Sequence, residues 1–168
     1  MHNLDELDFG WVESPLGWIE LSASARGLVS LTWSKSPQEC SYESHPIQQA
    51  SLALPCYFSG DFVQWDKLRK SIPLDEIGTP FQKKVWSTLR EIPCGQVLAY
   101  GGVVGALGMK RGAQAVGCAC GANPLPIFTP CHRVIAAHGL GGFSAGLEKK
   151  RWLLNHEQLA KDRSFATL

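Results

Sequence analysis

The strongest constraint in this chain is Asn123 to Val134, which reads Asn-Pro-Leu-Pro-Ile-Phe-Thr-Pro-Cys-His-Arg-Val. Proline lacks a backbone donor, locks its own φ and biases the residue before it toward extended geometry, so this stretch cannot continue a helix. The sequence therefore predicts a stiff, extended segment that presents Cys131 with His132 beside it. A free thiol near pKa ~8.5 is only a few per cent ionised at neutral pH, and the thiolate is the nucleophile. His132 and Arg133 offer a base and a cation within two residues.

The surrounding chain suits a compact soluble protein in one domain or two small ones, with 168 residues, 45% hydrophobic and 18% charged, and the elements read below make it α/β (α+β). The formal net charge is only +1, so any electrostatic footprint for a polyanion has to be local. Six cysteines occur without a Cys-x-x-Cys framework, and Met1 to Gly10 lacks an apolar run. No stretch reaches the ~18 apolar residues of a membrane helix. These features predict a cytoplasmic protein with free thiols, no membrane association, no cofactor and no metal. Neither Cys118-x-Cys120 with Cys131 nor the set Cys40, His45 and Cys56 has good zinc-ligand spacing.

The N-terminal part, residues 1–77, reads as a supporting α/β domain with a small sheet and a helix. Phe9 to Ser22 is expected as a hairpin about Ser14-Pro15-Leu16-Gly17, followed by a turn at Arg26-Gly27 and a third strand from Leu28 to Trp33. Ser34 to His45 reads as a loop, and Pro46 to Phe58 as a helix that Pro55 weakens. Phe62 to Ile72 is expected to pair with the earlier strands. Pro73 to Gly78 reads as the connector.

Residues 78–168 read as a mainly helical domain. Thr79 and Pro80 form a good helix start, with Phe81, Val85, Trp86 and Leu89 on one face. Two short helices rich in small residues, Ala99–Leu107 and Arg111–Cys120, are broken at Gly108, which is the outline of a helix-turn-helix. Val134 to Phe143 reads as extended. Leu147 to Leu159 reads as an amphipathic helix, with Leu147, Trp152, Leu153 and His156 inward and Lys149, Lys150 and Arg151 in solvent.

Beyond the segment that ends Pro130-Cys131-His132-Arg133-Val134, several further motifs appear in order. They are Gly78-Thr79-Pro80-Phe81-Gln82, Ile92-Pro93-Cys94-Gly95-Gln96-Val97, Ala99-Tyr100-Gly101, Ala115-Val116-Gly117, Gly146-Leu147 and Lys150 through Glu157. Together they cover about half the chain, and they resemble the O6-alkylguanine-DNA alkyltransferases, DNA-repair proteins that act once. The resemblance implies that Cys131 accepts a methyl or larger alkyl group from O6 of guanine, and from O4 of thymine, after the base leaves the duplex. It implies that His132 deprotonates Cys131 through a water, that Glu157 orients His132, and that Asn123 supports the site by hydrogen bonding. Tyr100 matches the tyrosine that donates to the purine. Val134 matches the residue whose carbonyl reads the exocyclic amine, and Ser144 the one whose backbone donor reaches O6.

The implied partner is double-stranded DNA carrying alkylated bases, bound as a monomer through the minor groove. Lys110, Arg111, Gln114, Ala115, Gly117 and Arg133 are the implied DNA-binding residues. Gln114 departs from the family, which commonly has an arginine there to fill the gap left by the flipped base. Two other readings compete. One is an alkyltransferase-like protein that binds lesions without repairing them; such relatives usually carry tryptophan at the cysteine position, and Cys131 argues against it. The other is a cysteine hydrolase or redox enzyme, neither of which needs the helix pair.

Overall fold

A computed structural model describes residues 7–37 and 44–165, with side chains described through residue 158. The chain forms two compact units, Met1–Ile77 and Gly78–Leu168.

In the first unit, β1 (Asp8–Ser14), β2 (Gly17–Ser24) and β3 (Gly27–Ser34) form an antiparallel meander in the order β1-β2-β3. The β1–β2 turn is closed locally, with Ser14 Oγ donating to the Gly17 carbonyl (2.6 Å) and accepting from Leu16 N (3.2 Å). Gly27 has φ +151°, and a side chain there would collide with the Pro73 carbonyl, because the connector lies against β3. Leu28 N donates to Pro73 O (2.9 Å) and Asp75 N to Leu28 O (2.7 Å). Helix α1 (His45–Ser59) contains Pro55 without ending there; it stops at Gly60, whose left-handed φ of 84° closes the last turn. Ile47, Ala50, Leu54 and Tyr57 give it a fully buried face.

Phe62 to Ile72 does not join the sheet. It forms α2 (Phe62–Arg69), started by Asp61, whose side chain accepts from Gln64 N. Asp-x-x-Gln is an N-terminal signature of a helix, and only Trp65 of α2 is buried, so no alternating apolar face exists for a strand. The predicted Ser34–His45 loop lies partly outside the described residues, as does Cys40.

The second unit begins with α3 (Pro80–Arg90). Its Thr79–Gln82 capping box satisfies two of the end donors reciprocally. Val85, Trp86 and Leu89 are completely buried, and Trp86 Nε1 donates to Ala119 O (2.8 Å), tying α3 to α5 (Ala113–Gly121). Between them lie the two-residue β4 (Leu98–Ala99) and α4 (Tyr100–Ala106). Gly108, at φ +72°, closes α4 by donating to Gly105 O while Met109 N reaches Val104 O.

The segment after the prolines is not fully extended. Cys131–Arg133 make one 3-10 turn, with Arg133 N donating to Pro130 O (3.0 Å). Only Val134–Ile135 continue as strand β5, parallel to β4 with Leu98 opposite Val134 and Ala99 opposite Ile135. The final helix, α6, spans Leu147–Phe165. Its inward stripe differs from the predicted one. Leu147 is 45% exposed, and Trp152 and His156 are half-buried and stacked on each other at 4.8 Å. Lys150, Leu153 and Glu157 are the buried residues, at i, i+3 and i+7. Lys150 is therefore a core residue, because its ammonium finds backbone carbonyls to hold.

Candidate active site

Asn123 builds the floor of the site. Its Oδ1 accepts from Leu125 N (3.0 Å), and its Nδ2 donates to Thr129 O (2.7 Å) and to Cys131 Sγ (3.0 Å). One amide thus folds the proline loop and supports the thiol. Within that loop Ile127 adopts φ 75°, a conformation a β-branched residue rarely takes. Flanking prolines and full burial of Leu125, Ile127 and Phe128 hold it there. Arg90 braces the far side through Nη1 to Thr129 Oγ1 (2.9 Å).

Cys131 is buried, 4% exposed. Burial pushes its pKa up, and the Asn123 hydrogen bond and the Lys150 charge only partly oppose this. The thiol is therefore protonated at rest, and its reactivity depends on a base.

His132 is also fully buried, with Nε2 2.7 Å from Glu157 Oε1. Burial pulls the imidazole pKa below 6.5, and Glu157, which acts in the opposite sense, does not reverse this. Burial would raise the Glu157 carboxyl, but His132 and Arg133 together hold it well below the usual carboxylate range. Glu157 is then an anion and His132 a neutral ring that donates from Nε2. Its Nδ1, which makes no hydrogen bond among the described residues, keeps its lone pair for a proton.

Arg133 corrects the sequence reading. It is 3% exposed and points inward, away from any DNA-binding role. Its guanidinium meets Glu157 through Nε (3.0 Å to Oε2) and Nη2 (2.9 Å to Oε1), and its Nη1 donates to Ile92 O (2.6 Å). Gly95 N donates to Glu157 Oε2 as well (3.0 Å). The motif Ile92-Pro93-Cys94-Gly95 thus serves the carboxylate from the turn after α3. Cys94, also beside Glu157, is pushed up to about 12, first by burial and then by that carboxylate.

Sequence reasoning missed Lys150. Its Nζ donates to Val134 O (2.6 Å) and Gly142 O (3.0 Å), fixing the strand after Cys131 against the glycine-rich loop. The spacing Lys150–Leu153–Glu157 could have shown it, since Leu153 was expected inward and the resemblance brought Glu157 to His132.

Tyr100 begins α4 because β4 pairs with β5, which places it near the residues that follow Cys131. Its ring lies between two glycines. A Cβ on Gly117 would sit 3.8 Å from the ring, and one on Gly141, at φ +69°, would be 2.9 Å away. Burial raises the phenol's pKa, so it is a proton donor at neutral pH. Tyr100, Gly117, Cys120, Gly121, Gly142 and Phe143 line a pocket of about 90 Å³ over Cys131. Ser144 stands outside that lining, on the exposed turn that Gly146 N closes onto Phe143 O.

The predicted DNA-binding residues other than Arg133 lie on or just before α5. Lys110, Arg111, Gln114 and Ala115 are exposed and Gly117 half-buried, while Val116, Ala119 and Cys120 pack inward. The outer face of α5 is therefore almost free of bulk.

A buried thiol supported by an asparagine, with a neutral histidine next to it held by an ionised glutamate, defines a site of the cysteine–histidine–acid class, and its pocket is walled by residues of α4 and α5. The comparisons make this specific. Residues 80–159 match the family model described as the DNA-binding domain of 6-O-methylguanine DNA methyltransferase. A methylated-DNA–protein-cysteine methyltransferase of Shigella flexneri is 42% identical over 141 residues, covering 83% of this chain and 80% of that protein. A Salmonella typhimurium protein of the same name is 49% identical over 102 residues, 60% of this chain; the match spans 57% of that relative's length. The crystal structure of Mycobacterium tuberculosis OGT in complex with DNA superposes with a TM-score of 0.75 at 33% identity, covering 90% of this chain and 93% of that one. The chain belongs to the methylated-DNA–protein-cysteine methyltransferase family.

Proposed function

We propose that this chain repairs DNA by moving an alkyl group from O6 of guanine to Cys131, once per molecule. The observation that carries the reading is the pair of contacts on adjacent residues: Asn123 Nδ2 on Cys131 Sγ at 3.0 Å, and Glu157 on His132 Nε2 at 2.7 Å. They supply a supported sulfur and an oriented base at one place in the chain.

His132 takes the thiol proton at Nδ1 through an intervening water, and Glu157 stabilises the imidazolium that forms. The Cys131 thiolate attacks the alkyl carbon, and the carbon–O6 bond breaks with its electrons passing to the purine. The Tyr100 phenol donates to the purine as that charge develops. The Val134 carbonyl, held by Lys150, reads the exocyclic amine, and the backbone at Ser144 serves O6. The product thioether is a poor leaving group, so Cys131 is not regenerated. O4-alkylthymine presents the same reacting atoms and is a second substrate class.

The partner is duplex DNA, bound by a monomer through the minor groove along the outer face of α5. The absence of bulk at Ala113, Ala115 and Cys118 favours close approach of that helix. Lys110 and Arg111 reach phosphates and Gln114 fills the space of the extruded base. The setting is the cytoplasm. A lesion-binding protein without transfer is the weaker reading, because its site needs no activated thiol.

Intact-mass analysis after mixing with a duplex containing O6-methylguanine tests this. One methyl group per molecule is expected, mapped to Cys131, with the DNA returned to guanine. Continued turnover under excess substrate, or methylation at Cys118, overturns the mechanism. Cys131→Ala is expected to bind DNA and transfer nothing.

A further inference from the structure

The pocket over Cys131 holds a second sulfur. Cys120, on the inward face of α5, is 7% exposed and lines the same 90 Å³ space. Among the lining side chains only Cys120, Cys131 and the Tyr100 phenol carry a heteroatom; the rest of the wall is glycine and Phe143. Lys150, through Gly142 O, keeps an ammonium at the edge of this space. The transfer step described above gives Cys120 no task. Burial, and next the neighbouring Cys131, push its pKa up to about 12, so it does not compete for the first alkyl group.

We infer that Cys120 is an internal trap for bifunctional alkyl groups: when Cys131 accepts a 2-haloethyl group from O6 of guanine, Cys120 closes on its far carbon and joins the two sulfurs by a two-carbon bridge. This rests on the alkyl transfer to Cys131 proposed above.

The chemistry balances without an oxidant. A 2-chloroethyl thioether is a half-mustard. The Cys131 sulfur displaces chloride, which leaves for solvent, and forms a three-membered cyclic sulfonium. Any nucleophile can open that ring. Water leaves a hydroxyethyl group, and a DNA base leaves a protein–DNA cross-link. When Cys120 attacks, a new carbon–sulfur bond forms and one ring bond to Cys131 breaks, its electron pair returning to that sulfur. The thiol proton passes to water.

Two features favour Cys120. The two sulfurs share one small space, and well-oriented intramolecular reactions reach effective molarities of about 10⁵ M and above. Alkylation also removes the charge of the Cys131 thiolate, so the repulsion that disfavours a second thiolate is gone. The Lys150 ammonium and the sulfonium then both favour ionisation of Cys120.

The test treats the full chain with a duplex carrying O6-(2-chloroethyl)guanine, beside a duplex carrying O6-methylguanine, followed by intact mass and peptide mapping. The expected main product is lighter than the chloroethyl adduct by one HCl and maps as a Cys120–Cys131 bridge, exceeding the hydroxyethyl form by roughly tenfold or more. In Cys120→Ser, hydroxyethyl-Cys131 and protein–DNA cross-links are expected in its place. Hydroxyethyl-Cys131 as the main product in the natural chain, with Cys120 still reactive to a maleimide after denaturation, overturns the trap whatever the variant does. An unmodified Cys131 in the O6-methylguanine arm shows instead that the transfer reading has failed, and the trap fails with it.

Discussion

Arg133→Ala separates two roles for one residue. As a DNA contact, Arg133 would contribute little to stability, and its loss would flatten the salt dependence of binding by about one phosphate. As observed, it is 3% exposed, makes bidentate contact with Glu157 and caps Ile92 O at 2.6 Å. Truncation strands a carboxylate that is itself only 1% exposed, leaving it His132 and Gly95 N as partners. Breaking a buried pair by removing one member costs about 3–5 kcal/mol. That is a large share of the ~5–15 kcal/mol that holds a typical protein folded. At about 2–4 °C per kcal/mol for a chain of this size, the midpoint should fall by roughly 10 °C. Urea unfolding gives the free energy, and DNA affinity across a salt series gives the slope. A loss below about 1 kcal/mol together with a slope shallower by about one contact would falsify the buried role.

Three further outcomes are expected. His132→Ala should slow alkylation of Cys131 about a hundredfold or more at neutral pH, then recover about tenfold per pH unit as the thiol ionises unaided; an unchanged neutral-pH rate removes the histidine from the mechanism. Glu157 has a lowered carboxyl pKa, so its contribution to stability is present above about 4.5 and is lost as pH falls below that value. Glu157→Gln should be less stable at pH 7 yet lose less on acidification, and parallel acid curves would refute the assignment. Gln114→Arg should raise affinity for duplex DNA and transfer from it, steepen the salt slope by at most ~1 contact, and leave reaction with free O6-benzylguanine nearly unchanged; weaker repair of duplex would show that the glutamine is adapted to its own helix.

Local chemistry made much of the fold legible. The Thr79-Pro80-Gln82 start, the Ser14–Gly17 turn and the Gly108 break each state their structure within four residues, and each appears where the sequence placed it. Phe62–Ile72, expected to pair with the sheet, is instead helical at Phe62–Arg69, because Asp61 caps a helix start and the apolar residues Phe62, Val63, Trp65, Leu68 and Ile72 follow no two-residue alternation. Arg133 and Lys150 misled for a different reason. Charged residues are placed in solvent by default, and only tertiary pairing with Glu157 in one case and with two carbonyls in the other makes burial tolerable. No local pattern encodes a partner that lies 24 residues away in sequence, as Glu157 does from Arg133.

Burial, with those two cations, sets the resting protonation states of the thiol and the histidine. Burial is the main cause that presses the His132 pKa down; Arg133 and then Lys150 add to it against Glu157, so the ring stays neutral and able to accept. Lys150 acts on Cys131 in the sense that eases loss of its proton, while burial holds that proton in place. In the proposed proton transfer, the thiolate forms within the field of the Lys150 ammonium and the imidazolium forms beside the Glu157 carboxylate, two pairs of opposite charge in a region of low dielectric. The resting state lacks one member of each pair. The arrangement therefore favours the ionised state once the proton moves, and leaves the thiol quiet until then.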